Sequence, residues 1–191
     1  GDGRRGGAAA HLCCEELPGA EVLGSQAASA VRAEALAAAV GAKVMTDPRA
    51  AIQRSDCAAV VIASPDFTHA PLSLACIEAR KPVLCEKPLS QSSAECHRVI
   101  EAAMASGRRW VQLGFMRRYD RAYAQMKSAL TQGRIGRALM MHNFHRNVET
   151  PAADFTAAMA LTNSAPHDFH LVRFVLDHAH AAVFALHPTR R

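Results

Sequence analysis

A charged pair at the end of an apolar run is the part of this sequence best suited to chemistry. The run 83–85 (VLC) is followed by Glu86, Lys87 and Pro88. Such a run is typical of a strand buried on both faces of a parallel sheet. Because proline cannot continue a central strand, the pattern places Lys87 at the carboxyl edge of the sheet, outside which the ligands of open α/β sheets bind.

A lysine that is partly removed from water at this edge could exchange a proton with a substrate hydroxyl near neutral pH. The alternative is a surface Glu86–Lys87 pair that only closes a strand, since a motif of four residues is weak evidence by itself. Which of the two applies depends on the elements that surround the pair.

Short apolar runs alternate with helix-forming segments along most of the chain. The predicted strands are 43–45, 57–63, 81–85 and 110–114, with another beginning at 20–23, and the predicted helices are 32–40, 48–52, 71–79, 90–106, 119–130 and 166–176. This alternation and spacing predict βαβ units and a parallel sheet. Segments 138–144 and 181–186 are predicted to be strands of a different layer.

The first six residues, GDGRRG, fit the pattern G-x-G-x-x-G. An Ala-rich stretch follows, and it could form the helix whose amino end receives a pyrophosphate. The strand that precedes this motif in dinucleotide-binding folds is absent from the sequence, so a flexible Gly/Arg terminus is an equal alternative. About twenty residues later, segment 24–29 (GSQAAS) offers no acid for the ribose hydroxyls, and NAD and NADP both stay open.

Composition excludes several classes of protein. Of 191 residues, 50% are hydrophobic and 20% charged, as in globular proteins. The net charge of +5 is scattered, which indicates an ordinary basic surface or weak attraction for small anions and no nucleic-acid partner. The six cysteines show no metal-binding spacing, so we expect no metal site and a reducing cytoplasm. No apolar run approaches the roughly 18 residues of a membrane span, and no signal peptide is predicted.

Five motifs agree, in order and spacing, with one family. They are 64–69 (SPDFTH), 85–88 (CEKP), 114–120 (GFMRRYD), 145–147 (HRN) and 163–167 (NSAPH). On these motifs the chain resembles the Gfo/Idh/MocA oxidoreductases, and within them the myo-inositol 2-dehydrogenases. The resemblance implies an α/β fold: a doubly wound parallel Rossmann sheet over residues 1–118 with its first strand missing, then the start of an α+β substrate domain over 119–191. It also implies a chain truncated at both ends.

The resemblance further implies a dehydrogenase that uses NAD, or NADP, on a cyclic polyol or sugar, and that forms a homo-oligomer, a tetramer when complete. Lys87 would assist proton removal from the hydroxyl, His167 would be the general acid/base, and Asn163 stands where these enzymes usually carry an aspartate. The residues expected at the cofactor are Gly1, Gly3 and Gly6 at the pyrophosphate and Ser64, Pro65, His69 and Glu86 at the nicotinamide half. Those expected to line the polyol pocket are Met116, Arg117, His145, Asn147 and Ser164.

These roles are chemically consistent. Oxidation of a secondary alcohol requires a base for the O–H proton and a group that stabilises the developing alkoxide, which His167 and Lys87 can supply. Each pocket residue also has an ordinary structural role: His145 as a hydrogen-bonded histidine, Met116 as packing, Arg117 as a solvated charge. Two alternatives remain: a non-catalytic relative that binds a nucleotide or sugar, and an inactive fragment of a longer dehydrogenase.

Replacing Asn163 by Asp tests how the residue four positions before His167 acts. A carboxylate near an imidazolium stabilises the charged ring, whereas Asn and Asp hold a substrate hydroxyl almost equally well. We expect Asn163→Asp to increase kcat for inositol oxidation at neutral pH and to shift the pH profile of kcat. The measurement is that pH profile for both proteins. An unmoved profile with the same kcat would show that Asn163 only binds substrate, or that Asn163 and His167 are not in contact.

Overall fold

The structure is a computed structural model that describes residues 24–25, 30–145, 156, 160–184 and 186. The chain divides into two compact units, Gly1–Gly114 and Phe115–Arg191, and each is described by itself. The boundary lies just before the predicted one at residue 118. Both the glycine motif and the predicted strand start at 20–23 lie outside the described residues.

The first unit alternates strands and helices as predicted. Its strands are β1 (Gly24–Ser25), β2 (Lys43–Val44), β3 (Val60–Ile62), β4 (Val83–Cys85) and β5 (Val111–Leu113), and its helices are α1 (Ala30–Val40), α2 (Pro48–Gln53), α3 (His69–Glu78) and α4 (Ser93–Ala105). Strands β1 and β2 pair in parallel. The other three form a parallel sheet in the order β3-β4-β5. The strands are shorter than predicted, although Trp110 and Gly114, at the two ends of the run 110–114, still hydrogen-bond to the neighbouring segment 83–85.

Local chemistry fixes where these helices begin and end. The Asp47 carboxylate accepts a hydrogen bond of 2.8 Å from the backbone N–H of Arg49 and so caps α2. Helix α1 ends at Gly41, whose φ of +66° favours glycine. Just beyond it, the N–H of Ala42 donates to the carbonyl of Ala37 over 2.9 Å, the long bond of a Schellman motif. Both boundaries had been predicted from these residue types.

Strand β4 lies at the centre of the three-stranded sheet and supplies its core. Val83 and Cys85 are buried among residues of α3 and α4, including Cys76 and Val99. Burial raises the pKa of the Cys85 thiol to about 12, as expected for a cysteine that packs as a small apolar side chain. The prediction that β4 is buried on both faces is wrong for Leu84, which is 42% exposed. Side chains alternate across a strand, and among the described residues the helices cover only the face of Val83 and Cys85.

The second unit is built on two helices. A 3₁₀ turn (Met116–Tyr119) leads into α5 (Arg121–Thr131), and a π-helix (Ala160–Ser164) runs directly into α6 (Ala165–Leu176). Asp120 caps α5 by accepting from the N–H groups of Ala122 and Tyr123. Helix α6 packs against α5 and buries Leu171 and Val175. Both predicted helices are confirmed, and no helix of the described residues is long and apolar enough to cross a membrane.

The two strands predicted after residue 130 are wrong for the residues that the structure describes. Segment 138–145 and segment 181–184 have no regular secondary structure, and the side chains of Leu139, Met140 and Phe144 are exposed. A strand is stabilised by hydrogen bonds to a neighbouring strand. Within the described part of the chain no such neighbour pairs with either segment, so β-type composition alone does not produce a strand there.

A buried histidine joins the loops that follow β3 and β4. His69, the first residue of α3, is 1% exposed. Its Nε2 lies 2.8 Å from the carbonyl oxygen of Ser64, and its Nδ1 lies 2.6 Å from that of Pro88. Both partners can only accept, so a neutral ring donates to one of them and an imidazolium donates to both. The ring therefore holds the two loops at a fixed separation.

Replacing His69 by Ala should destabilise the protein, because it empties a buried side-chain position and removes the ring that bridges the carbonyls of Ser64 and Pro88. We expect a loss in the free energy of unfolding of about 1–3 kcal/mol, measured by urea denaturation followed by circular dichroism. The control is His97→Ala, an exposed histidine on α4, which should change the free energy by less than about 0.5 kcal/mol. Equal losses in the two variants would contradict a bridging role for His69.

Candidate active site

The carboxyl ends of the three parallel strands are held level by hydrogen bonds just beyond β4 and β5. The N–H of Glu86 donates to the carbonyl of Ile62 over 2.8 Å, and the N–H of Gly114 donates to the carbonyl of Cys85 over 2.8 Å. Glu86 and Gly114 therefore follow their strands at the same edge of the sheet. This is the edge at which open α/β sheets bind their ligands.

The Glu86–Lys87 pair lies at this edge, as the sequence predicted. Lys87 is half-buried and Glu86 is exposed; the backbone N–H of Lys87 donates to the Glu86 carboxylate over 3.3 Å, and the Lys87–Pro88 peptide is cis. The same carboxylate lies beside Gly114, where an added Cβ would stand 3.2 Å from Glu86 Oε2. A lysine, a carboxylate and a glycine thus lie at one end of the sheet.

The loop after β3 contributes Ser64 and Pro65 to the same edge. The Ser64 hydroxyl pairs with that of Thr68, which also donates to the carbonyl of Pro65 over 2.7 Å. These bonds close the short turn Asp66–Thr68 that leads into α3. His69 was predicted to flank the cofactor, but its ring is buried and both nitrogens face loop carbonyls. This geometry favours support of the loops over direct contact with a ligand.

The groups at this edge fit a dinucleotide. A cofactor in the crevice of a parallel sheet meets the loops after adjacent strands, and here those loops carry the hydroxyl of Ser64, the carboxylate of Glu86 and the lysine Lys87. The residues predicted at the pyrophosphate, Gly1, Gly3 and Gly6, lie outside the described residues. The observed fit therefore concerns the half of the site next to Lys87.

In the second unit, an arginine, a histidine and an aspartate from three separate segments come together. Arg117 donates to Oδ1 of Asp168, while His145 Nδ1 lies 2.9 Å from Asp168 Oδ2. Nη2 of Arg117 lies 3.3 Å from the same His145 nitrogen. The three side chains are between 20% and 25% exposed. We call this group the Arg117–His145–Asp168 cluster.

Burial and pairing act in opposite directions on Asp168. Burial alone would raise the pKa of its carboxyl, but hydrogen bonds from His145 and Arg117 and the Arg117 charge outweigh it, so the pKa of Asp168 lies below its ordinary value. Because the folded pKa is lowered, Asp168 contributes stability above its unfolded pKa, and this contribution is lost as the pH falls through the folded pKa. The carboxylate is thus the charged centre of the cluster at neutral pH.

His167, the predicted general acid/base, is the third residue of α6. Its ring makes an aromatic contact. The edge of its ring meets Phe115 with centroids 6.1 Å apart and planes at 88°. His170 stacks on the same phenyl ring at 4.1 Å. Burial, followed by the charges of Arg118 and Arg173, lowers the pKa of His170. A neutral His170 therefore fits the apolar stack that fixes the orientation of Phe115.

The remaining predicted residues are placed as follows. Met116 is 66% exposed at the start of its 3₁₀ turn, and Ser164 is half-buried at the N-cap of α6, where its side chain makes no capping hydrogen bond. Asn163 lies in the π-helix, one helical turn before His167, and only its backbone is described. Asn147 lies outside the described residues.

Sequence reasoning did not single out Asp168. An acid in the first turn of a helix is also what the helix dipole favours, so its type and position point to no site. The one available signal was its place directly after His167. Only the structure shows that it pairs with two residues of the predicted polyol pocket.

Comparisons with known proteins identify the relatives of this chain. The model of an oxidoreductase family with an NAD-binding Rossmann fold, GFO_IDH_MocA, matches residues 3–115. Inositol 2-dehydrogenase 4 of Saccharopolyspora erythraea is 49% identical over 158 residues, which cover 82% of this chain and 46% of that protein. An inositol 2-dehydrogenase of Rhodococcus erythropolis is 40% identical over 175 residues, 91% of this chain and 50% of that protein. The chain spans about half the length of these curated relatives.

Solved structures agree with the sequence relatives. The myo-inositol dehydrogenase from Lactobacillus casei in complex with NAD(H) and myo-inositol has a TM-score of 0.79 and 28% identity, covering 93% of this chain and 52% of that one. A scyllo-inositol dehydrogenase from the same organism, with bound NAD(H) and scyllo-inositol, has a TM-score of 0.66 and 27% identity over 72% of this chain and 41% of that one. With the family model matching more than half of the chain, the sequence prediction is confirmed: this chain belongs to the Gfo/Idh/MocA oxidoreductases and has their Rossmann fold.

Proposed function

We propose that this protein is an NAD-dependent dehydrogenase that oxidises a secondary hydroxyl of a cyclic polyol such as myo-inositol. The observation that carries the proposal is the half-buried Lys87 at the carboxyl end of β4, next to Glu86, in a fold of an NAD-binding family. The names of its relatives, inositol 2-dehydrogenases, support the substrate class.

In the first unit, Lys87 would hold the oxygen of the reacting hydroxyl. Its ammonium donates hydrogen bonds and places positive charge where an alkoxide develops, which stabilises the transition state more than the substrate. Ser64, Pro65 and Glu86 would flank the nicotinamide half of NAD, and Gly1, Gly3 and Gly6 its pyrophosphate. When bound, NAD supplies the acceptor of the hydride. His69 would not contact the cofactor and would instead hold the loops that carry Ser64, Pro65 and Lys87.

In the second unit, His167 would accept the hydroxyl proton. Its ring lies edge-on to Phe115, a contact that favours one ring orientation, and a general base must be positioned within reach of its proton. Asn163, one turn earlier, would hold a substrate hydroxyl or orient this ring. The other hydroxyls of the polyol would meet Arg117 and His145, and the pocket would be completed by Met116, Asn147 and Ser164.

The direct test is reduction of NAD in the presence of candidate polyols. The protein is assayed with myo-inositol, scyllo-inositol and glucose, each with NAD and with NADP. We expect polyol-dependent formation of NADH, with a preference for an inositol. Binding of cofactor or polyol without any turnover would favour the alternative of a non-catalytic relative, which the missing carboxylate at position 163 motivates. By family resemblance we also expect a homo-oligomer.

Replacing Lys87 by Met tests the proposed catalytic role. Met keeps the length and apolar stem of the side chain but removes the ammonium, so kcat should fall by about two to four orders of magnitude. The Kd for the cofactor should change little. Both are measured on the same preparation by steady-state kinetics and by cofactor titration.

The matched control for this variant is Lys81→Met. Lys81 precedes the same strand at its opposite, amino end, where its Nζ donates to the carbonyl of Arg54. Its loss removes a structural hydrogen bond but should leave kcat of the folded protein almost unchanged. Near-normal turnover of Lys87→Met, or an equal loss in both variants, would remove Lys87 from the mechanism.

A further inference from the structure

The Nδ1 atom of His145 has two polar neighbours that make opposite demands on it. Asp168 Oδ2, 2.9 Å away, can only accept a hydrogen bond, and Arg117 Nη2, 3.3 Å away, can only donate one. One nitrogen cannot donate and accept at once in the plane of the ring. The contact with the carboxylate is shorter and charge-assisted, so it decides the protonation: Nδ1 carries the hydrogen and donates it to Asp168.

This choice determines what the rest of the cluster offers to a ligand. When Nδ1 of a neutral imidazole carries the hydrogen, Nε2 is an acceptor. Arg117 has only donors, and one of them is held by Asp168. The cluster therefore presents a fixed donor and a fixed acceptor from neighbouring side chains. Two adjacent hydroxyl groups match that pair, because one can accept from Arg117 while the other donates to His145.

Removing the charge of Asp168 would exchange the donor and acceptor roles of the two ring nitrogens of His145. An Asn in its place can accept from Arg117 through its oxygen, but its amide nitrogen would then donate toward His145 Nδ1. The neighbouring Arg117 Nη2 also donates toward that nitrogen. Both neighbours would favour Nδ1 as an acceptor and Nε2 as the N–H. The polyol would then meet two donors in place of a donor and an acceptor.

We propose that Asp168 is a positioning residue that selects the Nδ1–H tautomer of His145 and orients Arg117, so that together they recognise two adjacent hydroxyls of the substrate. The proposal rests on the proposed function for the identity of the ligand, and it deepens that function by assigning the donor and the acceptor. Asp168 itself acts through its two partners. Its place in the first turn of α6 also suits the helix dipole, so loss of stability alone does not measure this role.

The first experiment reads the tautomer without any substrate or cofactor. Long-range ¹H–¹⁵N spectra of the histidine-labelled chain are recorded at mildly alkaline pH for the wild type, Asp168→Asn and Asp177→Asn, and His145→Gln assigns the signal. We expect the Nδ1–H form of His145 in the wild type and the Nε2–H form in Asp168→Asn. Asp177, exposed at the end of the same helix, provides the control and should leave the wild-type form. A wild-type Nε2–H form, or an unchanged tautomer in Asp168→Asn, overturns the proposal.

The second experiment measures recognition of the polyol. Asp168→Asn should raise KM for myo-inositol by about 10- to 100-fold, by analogy with the loss of the partner that orients a metal-ligating histidine, with the Kd for NAD unchanged. Asp168→Glu should recover part of the loss, and Asp177→Asn should match the wild type. An unchanged KM in Asp168→Asn, or an equal rise for Asp177→Asn, overturns the positioning role.

An inositol analogue that lacks one ring hydroxyl completes the test. Where the missing hydroxyl is one of the recognised pair, the wild type should lose far more affinity than Asp168→Asn, because the variant has already lost that contact. Equal losses for every analogue overturn the assignment of a hydroxyl pair. Absence of polyol turnover in all proteins, wild type included, would reject the proposed function, whereas the tautomer spectra would still decide the role of Asp168.

Discussion

The parallel pairing of β3, β4 and β5 is the constraint on which the first unit depends. Parallel strands end at the same edge, and the ladder bonds of Glu86 and Gly114 keep the three ends level. Each loop that follows these strands therefore begins at a defined position along the edge of the sheet. His69 then fixes the separation of two of these loops through buried hydrogen bonds. Lys87 lies between the β4 end and one of these contacts, so its backbone is held from both sides.

Much of this architecture could be predicted from the sequence because its signals are local. The cap Asp47 and the helix end at Gly41 depend on residues within one turn of chain, and both were found where their residue types indicated. The cap Asp120 is just as local, but the predicted helix 119–130 had included that residue. The strand predicted at 138–144 failed for the opposite reason. A strand forms only with a partner, and nothing in its own composition says whether one is present. Exposure of Leu84 likewise depends on which face the helices cover.

The residues of the candidate site also differ in whether they depend on local motifs or on contacts between distant segments. Lys87 and His167 were singled out because short motifs around each carry the family resemblance, and their catalytic roles stay predictions. Asp168 could not be singled out, because its role arises from contacts with Arg117, 51 residues away, and with His145, 23 residues away. Chain folding alone brings these three together. His69 shows the same limit: the motif that contains it was found, but its burial and its two carbonyl partners were not readable from the motif.

The absence of a side chain at position 114 has a consequence for the conformational freedom of Glu86. The carboxylate occupies the volume that a methyl group on residue 114 would need, with Oε1 and Cδ each 3.3 Å from the position of that methyl. Alanine there would leave the sheet intact but make this χ combination of Glu86 crowded, and the side chain would redistribute among its other rotamers. The hydrogen atom that replaces a side chain at the end of β5 thus leaves this rotamer of Glu86 uncrowded.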